Sequence, residues 1–429
     1  MKRSITFALA VTLLGAPAVH GQFLLVPMDA KQANHLKAYG LTYLVLEKKQ
    51  TAEWLLNYRN GSFLLPDRPD VRREAALRGV NFEPQNANQV AQIRSQMEDA
   101  NMESVILEKA PKIAVYSPST LCTPSGCAPA HPWDDAVTLA MTYADIPYSK
   151  IWDPEVLQGR LKDFDWLHLH HEDFTGQYSK FYNSYAGSAW LQEEVNRNET
   201  VAKENGHANV ASLKKSVAES IRRYVAEGGF LFAMCAATET LELAIGAVNV
   251  DISAPFADGS PVDPDASRKM KWDRTMAFLN AEVQTNPGVN AFSDIDGHQV
   301  NTSWKQPLGS FTLFEFSPKF DPVPSMLVQN HESVLPDFYG LTTSFRRDRL
   351  KPGVIVLGEE DGAAWTKYVH GTFGQGTWTF LGGHDPEDPQ HQIGDEPTDL
   401  NLHPHSAGYR LILNNVLFPA AKKKTLKTD

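Results

Sequence analysis

Three things are scarce in this 429-residue chain: cysteine, net positive charge and long apolar runs. Crossing a bilayer as a helix takes roughly 20 consecutive apolar residues, and no stretch of the chain reaches that, so a transmembrane anchor is excluded. The formal net charge is −11, which argues against a nucleic-acid partner, because such a partner wants a basic face. Only three cysteines occur, and they split two and one. Cys122 and Cys127 lie in a turn-rich loop, Leu-Cys-Thr-Pro-Ser-Gly-Cys-Ala, short enough to bring them within disulfide range. A structural zinc site there would need further ligands, which the segment lacks. Cys235 is left alone, and an odd thiol in an exported protein needs a reason.

Export is what the N-terminus spells. Lys2 and Arg3 form a positive start and residues 5–14 a short apolar core. Ala16-Pro17-Ala18 or Val19-His20-Gly21 then offers a small-residue cleavage site, so residues 1–21 read as a signal peptide leaving Val19 or Gln22 as the new N-terminus. With no cysteine near the site, a lipid anchor there is excluded. The expected location is periplasmic or secreted, where a Cys122–Cys127 disulfide can persist.

With 42% hydrophobic and 21% charged residues the remainder reads as a soluble globular protein, longer than one core usually organises. Residues 22–110 read as a small α/β module, with strands at 41–46 and 54–58, a hairpin signal at Asn60-Gly61 and a helix over 86–102. Residues 111–420 read as the main domain. Short apolar strands at 112–116, 148–152, 166–170 and 230–234 alternate with helices at 134–144, 212–226 and 236–245. That alternation predicts an α/β fold with a parallel sheet covered by helices on both faces. Residues 249–310, rich in Asp, Pro, Gly and Asn, read as an elaboration; later strands fall at 311–316, 353–357, 365–370 and 377–381, before a helix over 406–417. Residues 421–429, with Lys422, Lys423, Lys424 and Lys427, read as a solvated basic tail.

Chemistry concentrates in three places. Strand 230–234 runs directly into a helix with Cys235 at the turn, the pattern of a nucleophile elbow whose helix N-terminus favours a thiolate; a buried core cysteine is the alternative. His384 follows a strand in Gly-Gly-His-Asp-Pro-Glu-Asp and would serve as the base, with Asp385 or Glu387 orienting it, unless the segment is simply a capped turn. His168, His170, His171, Glu172 and Asp173 form the third cluster. On a strand His168 and His170 face one side and His171 the other, so the pair plus Asp173 would hold a divalent metal, if these are not structural polar residues. Gly176, beside Thr175, would bring a backbone amide to an oxyanion, and Glu239 lies one turn into the elbow helix as a further substrate contact. His391, His403 and His405 would line the same end of the sheet.

Residues 112–420 resemble the class I glutamine amidotransferase-like superfamily and its trehalose-utilisation-protein-like branch. That resemblance implies a flavodoxin-like fold, Cys235 as the nucleophile after a central strand and His384 as the histidine of a late strand. The superfamily's glutamate two residues after the histidine is here Pro386, with Glu387 one position further, and Ala236-Ala237-Thr238-Glu239 stands where glutaminases keep glycine and then glutamine. More closely, residues 54–59, 165–177, 376–389 and 414–419 resemble a group of exported bacterial proteins labelled asparagine synthetase B. An ATP-dependent synthetase of that name needs a cysteine after the initiator, where this chain has Lys2, and a Ser-Gly-Gly-x-Asp-Ser loop, which is absent. The expectation is therefore a cysteine-dependent amide or ester hydrolase without a cofactor. A non-catalytic protein binding a small-molecule or glycan ligand and a metal-dependent hydrolase are the other readings.

Overall fold

A computed structural model describes residues 22–118, 135–298, 308–390 and 395–422, with the backbone of 121–123 and 126–128. The signal segment, His391 and most of the basic tail lie outside the described residues.

The first sheet is built from β1 (Phe23–Val26), β2 (Ala52–Leu56), β3 (Ser62–Pro66), β4 (Glu83–Gln85) and β5 (Glu103–Leu107), in the order β4-β1-β3-β2-β5. Every pairing in it is antiparallel. The Asn60-Gly61 signal marks the β2–β3 hairpin, where Asn57, Arg59, Asn60 and Gly61 all take positive φ. Residues 41–46, expected as a strand, belong instead to the helix His35–Glu47. That helix is buried almost all round, so its residues show no polar face from which a helical period could be read.

The second sheet has ten strands: β6 (Ile113–Tyr116), β9 (Ser149–Ile151), β10 (Trp166–Leu169), β11 (Phe230–Met234), β12 (Ser310–Leu313), β13 (Val334–Pro336), β14 (Phe345–Arg346), β15 (Ile355–Glu360), β16 (Trp365–Phe373) and β17 (Gly376–Leu381). Between β6 and β9 in the chain, β7 (Leu121–Thr123) and β8 (Gly126–Ala128) form a separate hairpin with Cys122 opposite Cys127. The side chains of that pair lie outside the described residues, so the expected disulfide does too.

The expected flavodoxin-like parallel sheet is not what forms. Strands β17-β11-β10-β6-β9 run parallel, but β16, β15, β12 and β13 continue the sheet antiparallel from β17, with β14 on β16. The fold is mixed α/β with one antiparallel and one mixed sheet. The physical reason is connection length. Parallel neighbours need a crossover of a dozen or more residues, whereas only Gly374 and Gln375 separate β16 from β17, which forces a hairpin.

Helices cover both faces of the mixed sheet. On one side Ala136–Tyr143 and Ala407–Leu417 pack with His35–Glu47, which in turn rests on β2 and β3, so one apolar core runs from sheet to sheet. Tyr39 stands edge-on to Trp54 and Phe63, and Trp166 Nε1 donates to Asn415 O at 3.0 Å. Each such ring contributes roughly 1.5–3 kcal/mol on burial. Arg410, fully buried, donates to Tyr39 Oη (3.1 Å), Met28 O (3.3 Å) and Asn60 O, which satisfies its charge with a phenol and two carbonyls rather than with an acid. On the other side the helix Val210–Ala226 sets Val217, Ile221 and Val225 against the sheet. The alternation along β11 is complete: Phe230, Phe232 and Met234 enter the first core, Leu231, Ala233 and Cys235 the second. Among the described residues no helix is long and apolar enough to cross a membrane.

Candidate functional site: an imidazole cluster at two strand ends

Strands β10, β11 and β17 are parallel neighbours, so their C-terminal ends share one edge of the sheet, where open α/β sheets place ligands. The residues that follow are His170-His171, Cys235 and Gly382-Gly383-His384. Although β11 separates the other two strands, the His170 and His384 ring centroids are 4.7 Å apart. His171 completes the group, stacked nearly parallel on His170 with the ring centroids 3.9 Å apart, and 4.3 Å from His384. One ligand nitrogen from each of the three lies within 4.8 Å of the others. His171 was expected on the far face, but β10 stops at Leu169, so strand alternation no longer governs it. The amide of Ala237, in the first turn of the elbow helix, donates to His170 O at 3.0 Å and fixes that backbone.

His168 and His170 do face the same side, and the carboxylate they meet is Asp135, not Asp173. Asp135 is the N-cap of the helix Ala136–Tyr143, its Oδ1 accepting from the amides of Val137 (2.8 Å) and Thr138 (2.9 Å). The same carboxylate lies 3.3 Å from His168 Nε2 and 3.4 Å from His170 Nδ1. Burial works to raise its pKa, but the two imidazoles outweigh that and hold it well below the usual carboxylate range. His168 is fixed by Phe232 O, 3.1 Å from its Nδ1, and its ring stacks on Trp166 and Phe232.

Asp173 fails as a metal ligand because its own loop consumes it. Oδ1 accepts from Thr175 N (2.8 Å) and Thr175 Oγ1 (2.5 Å), and Oδ2 from the amides of Gln177 (3.0 Å) and Ser179 (2.8 Å). The oxyanion role given to Gly176 and Thr175 fails for the same reason. Gly176 N donates to Asp173 O, Thr175 O accepts from Ser253 Oγ, and a Cβ on Gly176 would meet the Ala211 backbone at 2.8 Å. This loop is packed onto the helix Val210–Ala226, and the amides of Thr175 and Gly176 are both spent within it.

Cys235 has the elbow backbone, with φ 52° and ψ −139°, and caps the helix Ala236–Gly246. Its Sγ is buried beneath residues 337–344 and accepts from Leu341 N at 3.2 Å. Burial pushes the thiol up, against the opposing pull of the Leu341, Ala236 and Thr342 amides. Glu239 sits under the same loop rather than in the imidazole cluster: Oε1 accepts from Ser293 Oγ (2.5 Å) and Oε2 from Thr342 Oγ1 (2.8 Å). Burial and the nearby Asp296 raise its pKa to about 8.

Neither acid proposed to orient His384 is placed to do so. Asp385 accepts from Glu387 N (2.9 Å), Thr398 Oγ1 (2.8 Å) and Tyr409 Oη (2.8 Å), which ties the turn to the last helix. Glu387 pairs with His403 at 2.8 Å. His405 is likewise elsewhere, its Nε2 2.9 Å from Gln32 O. His384 is held by its backbone, donating to Tyr339 O at 2.7 Å.

No protein-family model matches the chain, and no curated protein matches it. Solved structures do show likeness at low identity. A cytoplasmic protein of Salmonella typhimurium, STM3548, aligns at 9% identity over 73% of this chain and 100% of its own, with a TM-score of 0.34. A second, STM1381 from Salmonella typhimurium LT2, aligns at 12% over 72% and 100%, with a TM-score of 0.36. Gan42B, a GH42 beta-galactosidase, aligns at 12% over 65% of this chain and 28% of its own, with a TM-score of 0.25. Likeness this distant carries no argument about the site, which stands on its own geometry.

One member of that site, Asp135, escaped the sequence reading, and another, His171, was named but assigned to the far face. Asp135 carries a legible signal: it opens the helix that follows β6, and a helix returning from a parallel strand starts at the strand's C-terminal edge. His171 carried none, since where β10 stops decides its direction. A further polar group, His298, Asp337 and Glu360, lies beside the 337–344 loop. There Lys367 Nζ already occupies the cationic position, 2.5 Å from Asp337, 2.6 Å from Phe338 O and 2.9 Å from Thr343 O.

Proposed function

We propose that the protein is a hydrolase of amide or ester bonds whose centre is the cluster of His170, His171 and His384. The observation that carries this reading is the 4.7 Å approach of His170 to His384 across the end of β11, with Asp135 behind His170 at 3.4 Å. A carboxylate on Nδ1 favours the tautomer whose Nε2 carries the lone pair, the form in which the imidazole can take a proton from water. Such a base contributes about 10²–10⁴-fold to rate. The test is a panel of chromogenic amides and esters offered to the mature protein and to His170→Gln and His384→Ala. Turnover lost in both variants supports the reading. A protein that hydrolyses nothing on the panel yet binds glycans or small ligands would replace it with the binding-protein reading.

A second reading keeps Cys235 as the nucleophile, as the amidotransferase-like resemblance implies. Its support is the strained elbow backbone, a conformation that non-glycine residues adopt at a cost of about 1–3 kcal/mol, together with the amide that meets Sγ. Labelling by iodoacetamide, blocked in the presence of substrate, would favour it. Turnover that survives in Cys235→Ala would eliminate it and leave the thiol as the post under the 337–344 loop.

A further inference from the structure

We propose that His170, His171 and His384 bind one first-row divalent transition metal of the zinc class. The inference deepens the hydrolase reading, resting on it only for what the metal-bound water does. Three imidazole nitrogens drawn from two strand ends already lie within 4.8 Å of one another. Tetrahedral zinc, with Zn–N of about 2.0–2.1 Å, needs neighbouring nitrogens about 3.4 Å apart, so the rings must close by roughly an ångström. Side-chain rotation supplies this, and it must also tilt His170 and His171 out of their parallel stack so that their lone pairs converge on one ion.

The surroundings match what a metal-bound histidine requires. Ligating histidines characteristically present their second ring nitrogen to a carboxylate, which sets the tautomer and strengthens the ligand. Asp135 stands in that position on His170 Nδ1, which directs Nε2 to the metal; with the ion bound that lone pair coordinates it, and the ion rather than the imidazole activates the water. Asp135 itself is not a ligand, because Oδ1 already caps a helix through Val137 and Thr138 and the carboxylate is shared with His168.

The donor set selects the ion. Three neutral imidazoles suit zinc, cobalt, nickel, copper or ferrous iron, whereas calcium and magnesium want oxygen. Cys235 lies outside the three-imidazole group, its Sγ under the neighbouring loop against Leu341 N. Three protein ligands leave a fourth position open, which is the arrangement of a catalytic rather than a structural zinc. Water in that position would ionise near pH 7 rather than near 16, to become the hydroxide that attacks the acyl carbon. In that step the oxygen–carbon bond forms, the C–N or C–O bond breaks, and the proton released from water passes to the leaving group.

The test uses the full mature protein, stripped with a chelator and titrated with Zn²⁺ by calorimetry and with Co²⁺ by visible absorption. One equivalent of either ion, with the d–d bands of four-coordinate cobalt, is expected. His384→Ala and His171→Gln should each weaken binding at least about 100-fold, and Asp135→Asn about 10- to 100-fold. His298→Gln, in the separate Glu360 cluster, should bind as the native protein does. The partly exposed His171 makes its variant the one that keeps the test valid should His384→Ala fail to fold. Absence of stoichiometric binding, or unchanged binding in folded His171→Gln, overturns the proposal. Failure of the hydrolase reading looks different: zinc bound at one equivalent with no turnover keeps the metal and removes the hydrolase, whereas turnover in a protein that takes up no ion removes the metal and keeps the hydrolase.

Discussion

Asp135 and His170 come together from the first turn of one helix and the end of a neighbouring strand, 3.4 Å apart, and Asp135 has two tasks there. It caps the helix Ala136–Tyr143 and it faces the imidazoles. The two can be separated by substitution. Asn is as good a cap as Asp, so Asp135→Asn should leave the urea midpoint close to native while lowering kcat/KM at least about 10-fold. Asp135→Ala loses both and should cost about 0.5–2 kcal/mol as well. An Asp135→Asn variant with native kcat/KM would show that the carboxylate's charge does nothing at the site.

Gly340 separates the Cys235 thiol from the turn that carries His384. A Cβ there would stand 3.0 Å from Sγ and 2.9 Å from Gly383 Cα. Backbone on one side and a buried sulfur on the other leave little room to yield, so Gly340→Ala should destabilise by about 1–3 kcal/mol and displace His384. Adding Cys235→Ala should recover only part of the loss, because Gly383 stays in place. A denaturation series on the two single variants and the double variant measures this; full recovery in the double variant would show that only the sulfur was in the way.

Much of the local structure was legible. The strand Phe230–Met234 and the helix after it follow from an apolar run ending at a small-residue turn, and Asn60-Gly61 marks its hairpin. Two things were harder to read. The helix His35–Glu47 lies between layers of structure, so burial erased the periodicity that would have identified it. The sheet's antiparallel half was encoded in something missing: between 353–357, 365–370 and 377–381 there is no room for a crossover helix. At the site, His168, His170 and His384 were all named, but their partners were misassigned. Asp173 stands three residues from His170 in the chain yet turns inward to its own loop, while Asp135, far off in sequence, faces the rings. The export reading rests on residues 1–21, outside the described residues.

Lys367 is completely buried and holds the 337–344 loop from below through Asp337, Phe338 O and Thr343 O. Removing it strands the Asp337 carboxylate in the interior, a change that typically costs about 3–5 kcal/mol. Lys367→Met should therefore unfold at markedly lower urea, and Lys367→Met/Asp337→Leu should regain a good part of the loss. If the double variant is no better than the single, the lysine's two carbonyl partners rather than its charge pairing hold the loop.

Glu239 and Asp296 should give the protein an inverse dependence of stability on pH. Burial, aided by the nearby Asp296, raises Glu239 to about 8, well above the usual carboxylate range, and burial raises Asp296 to about 6. Both folded values lie above the unfolded ones, so the folded state binds more protons than the unfolded state. The stabilising contribution is complete below about pH 4 and is lost as pH rises, through about 6 for Asp296 and through about 8 for Glu239. Glu239→Gln keeps the shape and removes the ionisation, leaving one amide oxygen to accept from Ser293 or Thr342. Relative to native, the variant should be at its worst at the acid end of the range and gain on the order of 4 kcal/mol between pH 5 and pH 8.5. Urea unfolding at pH 5, 6.5 and 8.5 measures the difference directly. Parallel curves for native and variant across that range would mean that Glu239 ionises with an ordinary pKa, and that Ser293 and Thr342 hold a carboxylate at neutral pH.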